Sequence, residues 1–267
     1  MVQRGFTLIE MAIVLTIIGL MIGGGLLAIG PLVDKAKFNQ TNTTLDQVEN
    51  ALVLFVIRNN RLPCPALGTT LASDPVNYGI EQPIGGGTCT ATAATGVIPW
   101  RTLGLDEAYS TDAWNDRLSY YAAQPGQLGT GATAATTTAA SIQRNGTTYP
   151  TGPFLTVTNA TTSQPITPPA TSNDQAAYVL VSHGKSGWYS YSKPGTAAAI
   201  IHPAAFAGGP KACNSAPGAC SIAANSFVSG TGIGAYPPSS NNFFDDMVRW
   251  RSPAFLIQLC GSGACGN

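Results

Sequence analysis

The chain has 267 residues with 13 basic and 13 acidic side chains, and charged residues make up only 10% of it. That balance gives no net attraction to nucleic acid or to an anionic surface, so neither is expected as a partner. The length allows one substantial domain with an appendage or two small domains, and the Ala, Thr, Gly and Ser that replace charge suit a secreted or surface-exposed protein.

The chain opens with a short polar leader, Met-Val-Gln-Arg-Gly, followed by an apolar run from Phe6 to Ile29 interrupted by a single charge, Glu10. As a helix this run is roughly 36 Å long, enough to cross a hydrocarbon layer of about 30 Å. It is apolar on every face, which argues against a buried helix of a soluble domain. It also exceeds the apolar core of a secretory signal, usually about 7 to 15 residues. A plain signal anchor accounts for the length but leaves Glu10 unexplained, because a carboxylate in a membrane costs about 2.5–3.5 kcal/mol at mid-bilayer.

The stretch "RGFTLIEMAIVLTIIG" resembles the cleavage and methylation motif of type IV prepilins and type II secretion pseudopilins. The resemblance implies a cytoplasmic leader over residues 1–5, cleavage after Gly5 by a membrane aspartyl peptidase, and N-methylation of the new N-terminus at Phe6. It places Glu10 fifth in the mature chain, where the family carries its glutamate. Its implied partners are the prepilin peptidase/methyltransferase, other pilin or pseudopilin subunits and the bacterial inner membrane. The head then lies in the periplasm before assembly, and in a pilus or pseudopilus afterwards. In a staggered bundle of such helices, Glu10 of one subunit meets the Phe6 ammonium of its neighbour. Low dielectric makes that pair strong and an unpaired charge costly, so Glu10 is expected to set assembly register. The contrasting reading is a monomeric, membrane-anchored periplasmic adhesin or enzyme whose N-terminus is only an anchor.

Glycines at 19, 23, 24, 25 and 30 and then Pro31 punctuate the same helix. Gly19 with Gly23, and Gly24 with Ala28, form small-xxx-small pairs that allow close helix approach. Each internal glycine weakens the helix by about 1 kcal/mol, so Gly23–Pro31 is expected to melt or kink when the subunit leaves lipid for a filament. Beyond Pro31 the spacing of Leu45, Val48, Leu52 and Phe55 predicts an amphipathic helix ended by Pro63. The expected divisions are a leader at 1–5, a transmembrane helix at 6–30, an amphipathic spine at 31–62 and a globular head at 63–267. The fold class is α+β: a long N-terminal helix packed on an antiparallel sheet, the pilin architecture.

In the head, "DAWNDRLSYYAA" resembles the Asp-Pro-Trp-Gly…Tyr segment of major pseudopilins through Asp112, Trp114, Asn115 and Tyr120; a turn leading into a strand with a packed Trp fits it equally. Residues 129–176 read as long surface loops with one strand at Phe154–Thr158. Antiparallel strands are expected at "AYVLVSHG", "GWYSYS", "NSFVSG" and "MVRWRS", and "FLIQLCGSGAC" is a last apolar element.

Six cysteines, Cys64, Cys89, Cys213, Cys220, Cys260 and Cys265, follow the membrane segment and read as disulfides of an oxidising compartment. Fifteen pairings are open, of which the local one (64 with 89, 213 with 220, 260 with 265) is simplest. No CxxC spacing or histidine pattern points to zinc. "HGKSG" is not a phosphate loop, because that pattern needs a glycine where Val179 stands, and Ser186 lacks a nucleophile elbow. No catalytic residue and no cofactor are expected. Major pseudopilins resembling this chain bind calcium in a C-terminal acidic loop, which makes Asp245 and Asp246 the metal candidates. Capping or pairing with Arg249 and Arg251 is the competing role, favoured because calcium wants six to eight oxygens.

Overall fold

A computed structural model describes residues 7–26, 29–59, 61–85, 89, 96–123, 155–160, 162, 164–167, 175–192, 214, 226–230 and 244–259, without the side chains of 22–29, 226, 253, 254 and 257. The N-terminal apolar run forms helix α1 (Leu8–Leu26), and a second helix, α2, covers Ile29–Asn59. The backbone is helical from Gly23 to Leu26 and again from Ile29 through Pro31. The chain divides inside α2 into two compact units, Met1–Gln40 and Thr41–Asn267.

From Thr41 onward α2 is amphipathic. Thr41, Leu45, Val48, Glu49, Leu52 and Val56 are buried, a run spaced by three and four residues along one face. Phe55, expected in that face, is only half-buried at its edge, and the Arg61 guanidinium lies 5.1 Å from its ring centre. Val56 takes the core position instead.

The strands are β1 (Ala66–Leu67), β2 (Gly96–Val97), β3 (Ser119–Ala122), β4 (Thr156–Asn159), β5 (Tyr178–Ser182), β6 (Ser226–Ser229) and β7 (Met247–Arg251). Five of them form an antiparallel sheet in the order β1-β2-β3-β5-β7. Side chains alternate across it, as the pleat requires. The row Tyr121–Val179–Trp250 packs with Val181, Leu155, Val157 and Phe227 on one face. The rows Tyr120–Leu180–Arg249 and Ala122–Tyr178–Arg251 carry the groups that reach α2.

Two strand expectations change, and the terminal apolar element takes a definite form. The stretch "NSFVSG" does contain β6, but β6 pairs in parallel with β4 in a separate two-stranded sheet, so it is no part of the antiparallel one. "GWYSYS" is a pair of turns, closed by Gly187 N–H to Gly184 O at 3.2 Å and Ser190 N–H to Gly187 O at 3.1 Å. Positive φ at Gly184, Gly187 and Tyr189 excludes an extended strand there. The terminal apolar element begins as helix α3 (Pro253–Leu259), in which the Ser252 hydroxyl accepts the Phe255 N–H at 3.2 Å.

The sheet core is rich in phenols. Burial, the leading cause in each case, pushes Tyr120, Tyr121 and Tyr178 above the ordinary tyrosine value. A phenol raised in the fold lends its full stability below the unfolded value near 10 and loses it as pH rises beyond that. The denaturation midpoint is therefore expected to stay level between about pH 7 and 9 and to fall steeply above about pH 10. A midpoint unchanged at about pH 12 would contradict this.

Candidate functional site

Gly5 and Phe6 lie outside the described residues. Glu10 lies in the first turn of α1, on the fourth residue of Thr7-Leu8-Ile9-Glu10. The Thr7 backbone N–H and the Thr7 hydroxyl both donate to Glu10 Oε2 at 2.8 Å, and the Glu10 N–H donates to Thr7 Oγ1 at 3.3 Å. This is a reciprocal capping box, which satisfies N–H groups that a helix start leaves without intrahelical acceptors. Both bonds to the carboxylate end on the same oxygen. The T-x-x-E spacing was visible in the sequence, and Thr7 is the residue that a reading centred on charge overlooks.

From Leu8 to Met21 the side chains of α1 are exposed on all sides: Leu8, Ile9, Ile13, Leu15, Leu20 and Met21 are each more than half exposed, and Val14 and Ile17 nearly so. Exposed apolar surface of this extent marks a segment whose partner is lipid or other protein. Among the described residues no helix is long and apolar enough to cross a membrane, and the side chains of 22–29, part of the apolar run, are not among those residues.

The far part of α2 is fixed to the sheet by Glu49. Its Oε1 accepts the Tyr178 hydroxyl at 3.1 Å and its Oε2 accepts Arg251 Nη2 at 2.9 Å. Beside it, Asn42 Oδ1 accepts Arg249 Nη2 at 2.8 Å, and Asp46 lies 3.6 Å from that nitrogen. The Thr41 hydroxyl accepts the Ala113 N–H at 3.1 Å. Asp112 in turn accepts the Trp114 and Asp116 N–H groups on one oxygen and the Ser182 hydroxyl on the other. The Asp112–Tyr120 stretch is thus a turn, with Asn115 at positive φ, leading into β3.

Asp245 and Asp246 do not meet Arg249 and Arg251, which are taken by α2. The Asp245 carboxylate receives the backbone N–H of Ser186 at 2.9 Å and its hydroxyl at 3.1 Å. Gly184 is needed beside it, because at φ +66° a Cβ would lie 2.2 Å from the Asp245 carbonyl oxygen. Asp246 Oδ2 accepts Asn214 Nδ2 at 2.9 Å, and Asn214 also bonds both backbone groups of Val228 in β6. The two carboxylates therefore serve separate parts of the packing. Among the described residues no group of three or more His, Cys, Asp or Glu side chains is placed to hold a metal ion.

Ser119, His183 and Asp246 do come together. Ser119 Oγ is 2.8 Å from His183 Nε2, and His183 Nδ1 is 3.9 Å from Asp246 Oδ2. The order matches a nucleophile, base and orienting acid. These residues are only 4%, 0% and 2% exposed, however, and leave no room for a substrate at the serine. They join the ends of β3, β5 and β7 as a buried polar network. Cys64 and Cys89 form a disulfide, with Glu81 beside it accepting the Cys64 N–H and both arms of Arg61. Cys213, Cys220, Cys260 and Cys265 lie outside the described residues.

Fold and site together define an α+β protein: an antiparallel sheet secured to the later part of α2, and an N-terminal helix, α1, whose described side chains from Leu8 to Met21 are exposed and mostly apolar. Residues 1–26 match the family model for the prokaryotic N-terminal methylation motif, the type IV prepilin signature. That motif implies a membrane-anchored precursor, processing by a prepilin peptidase and assembly with other pilin subunits. No curated protein and no solved structure matches the chain.

Proposed function

We propose that this chain is a structural subunit of a type IV pilus or a type II secretion pseudopilus. The prepilin peptidase cuts after Gly5, Phe6 is N-methylated, and the subunit polymerises through its N-terminal helix. The helix packs in the filament core while the sheet domain, bonded to α2 through Glu49, faces outward. Glu10 answers the Phe6 ammonium of a neighbour. Its Oε2 is occupied by Thr7 within the subunit, which leaves the second carboxylate oxygen for the amine. The methylation motif over residues 1–26 carries this reading. The family it marks is structural, and the subunit's role is assembly, with no reaction of its own.

The capping box also supports a rival reading. It gives Glu10 a role inside a single chain, so a monomeric signal-anchored protein would have a use for it too. Mass spectrometry of the mature chain separates the two. N-methyl-phenylalanine at position 6 is expected, and an intact Met1 would instead establish the anchor.

A further inference from the structure

Opposite its buried face, α2 presents Asn50, Leu54 and Arg58 to a groove of about 520 Å³, closed on the other side by Arg101, Leu103 and Leu105. Leu54 is 54% exposed and both arginines are exposed. The lining includes two arginines and no carboxylate; Arg101 Nη1 also donates to the carbonyls of Pro75 and Tyr78, which fixes its side chain at the rim. The chain leaves the groove at Leu105 and passes directly into exposed Asp106, followed by the 3-10 turn Glu107–Ser110, on which Tyr109 is 38% exposed. This knob is held in shape. Asp106 Oδ1 accepts the Ala108 N–H at 2.9 Å, and Glu107 Oε1 accepts the Tyr78 hydroxyl at 2.6 Å. A cationic, apolar-floored hollow thus adjoins an acidic, aromatic projection. A contiguous patch whose halves are complementary to each other is self-complementary about a two-fold axis.

We propose that the sheet domain pairs with a second copy of this chain through this patch. The Asp106–Tyr109 knob of each copy enters the Arg58–Arg101 groove of the other, with Tyr109 over Leu54 and the acids facing the guanidiniums. Opposite charges fix the register, while like halves repel. The patch is smaller than the roughly 800 Å² per partner of a standard interface, so the pairing is weak between free chains. It strengthens where copies share a membrane, because tethering raises their effective concentration. The pairing does not require polymerisation through α1, so it stands or falls separately from the pilin reading.

The test uses the full-length chain in detergent, with dimerisation measured by sedimentation velocity and native mass spectrometry. The wild type is expected to show a reversible dimer. Arg58→Glu, at an exposed side chain, is expected to weaken it about tenfold, and Asp106→Lys likewise. Mixing those two variants restores pairing, because each half of the mixed dimer then joins opposite charges. Asp106→Lys also removes the cap on Ala108, so Asp106→Asn, which keeps a capping oxygen and loses only charge, is measured beside it and is expected to weaken pairing while melting like wild type. A wild-type chain that stays monomeric, an Arg58→Glu dimer as tight as wild type, or variants that do not recover on mixing would each overturn the proposal.

Discussion

Replacing Glu10 with alanine is expected to leave cleavage after Gly5 intact and to remove nearly all of the chain from filaments. On the proposed pairing, the variant leaves the Phe6 ammonium of each neighbour in a low-dielectric core with no carboxylate to meet it. An interaction worth about 2 kcal/mol there corresponds to roughly a thirtyfold loss at each subunit addition. Glu10→Ala also deletes the capping box, at a cost of about 1 kcal/mol to the start of α1. The two effects are separable. Glu10→Gln keeps an oxygen for the Thr7 N–H and hydroxyl but carries no charge. Thr7→Val keeps the charge and loses the cap. If pairing dominates, filament yield falls with Gln almost as far as with Ala, and Thr7→Val assembles close to normally. The opposite pattern would mean that Glu10 matters only to its own helix.

The second large effect belongs to the disulfide. Cys64 and Cys89 are separated by 25 residues, and closing a loop of that length stabilises the fold by about 3.5 kcal/mol in the chain-entropy model. Both cysteines are buried, and the bridge sits beside Glu81, which holds the Cys64 backbone and the Arg61 guanidinium. Cys64→Ser with Cys89→Ser is expected to lower the stability of the sheet domain by about that amount, or its Tm by roughly 10 °C. Denaturant unfolding of the double variant against the oxidised wild type measures it. An unchanged midpoint would show that β1 and the loop after it contribute nothing cooperative to the fold.

What the sequence disclosed depended on the range of each interaction. The apolar run, the helical spacing of Leu45, Val48 and Leu52, and the apolar, β-branched and aromatic runs of β5 and β7 are local patterns, and each appears where the sequence placed it. The Cys64–Cys89 bridge is the local pairing, since each is the other's nearest cysteine in sequence. Partner choice was not legible. The sequence marks β6 as a strand, but nothing local to it reveals that its neighbour is β4 and that the two run parallel. Arg249 and Arg251 lie beside Asp245 and Asp246 in sequence, yet the pleat turns the arginines toward Asn42, Asp46 and Glu49 on α2. Asn214 binds Asp246 and β6 across long stretches of chain, and no spacing announces it. "GWYSYS" misled because alternating aromatics suggest a strand, while the positive φ angles of the glycines nearby, and of Tyr189 within it, make turns. At the N-terminus the opposite holds. Thr7 and Glu10 are three residues apart, so the capping box could be read from the sequence directly.

Assembly as proposed turns on whether the carboxylate inside the apolar helix finds a cation on the next subunit. A density map of the assembled fibre, at a resolution that shows side chains, measures this directly. The result expected is Glu10 within about 4 Å of the N-methylated amine of Phe6 on an adjacent subunit. Glu10 turned to solvent or lipid, with the neighbouring amine paired elsewhere, would contradict it.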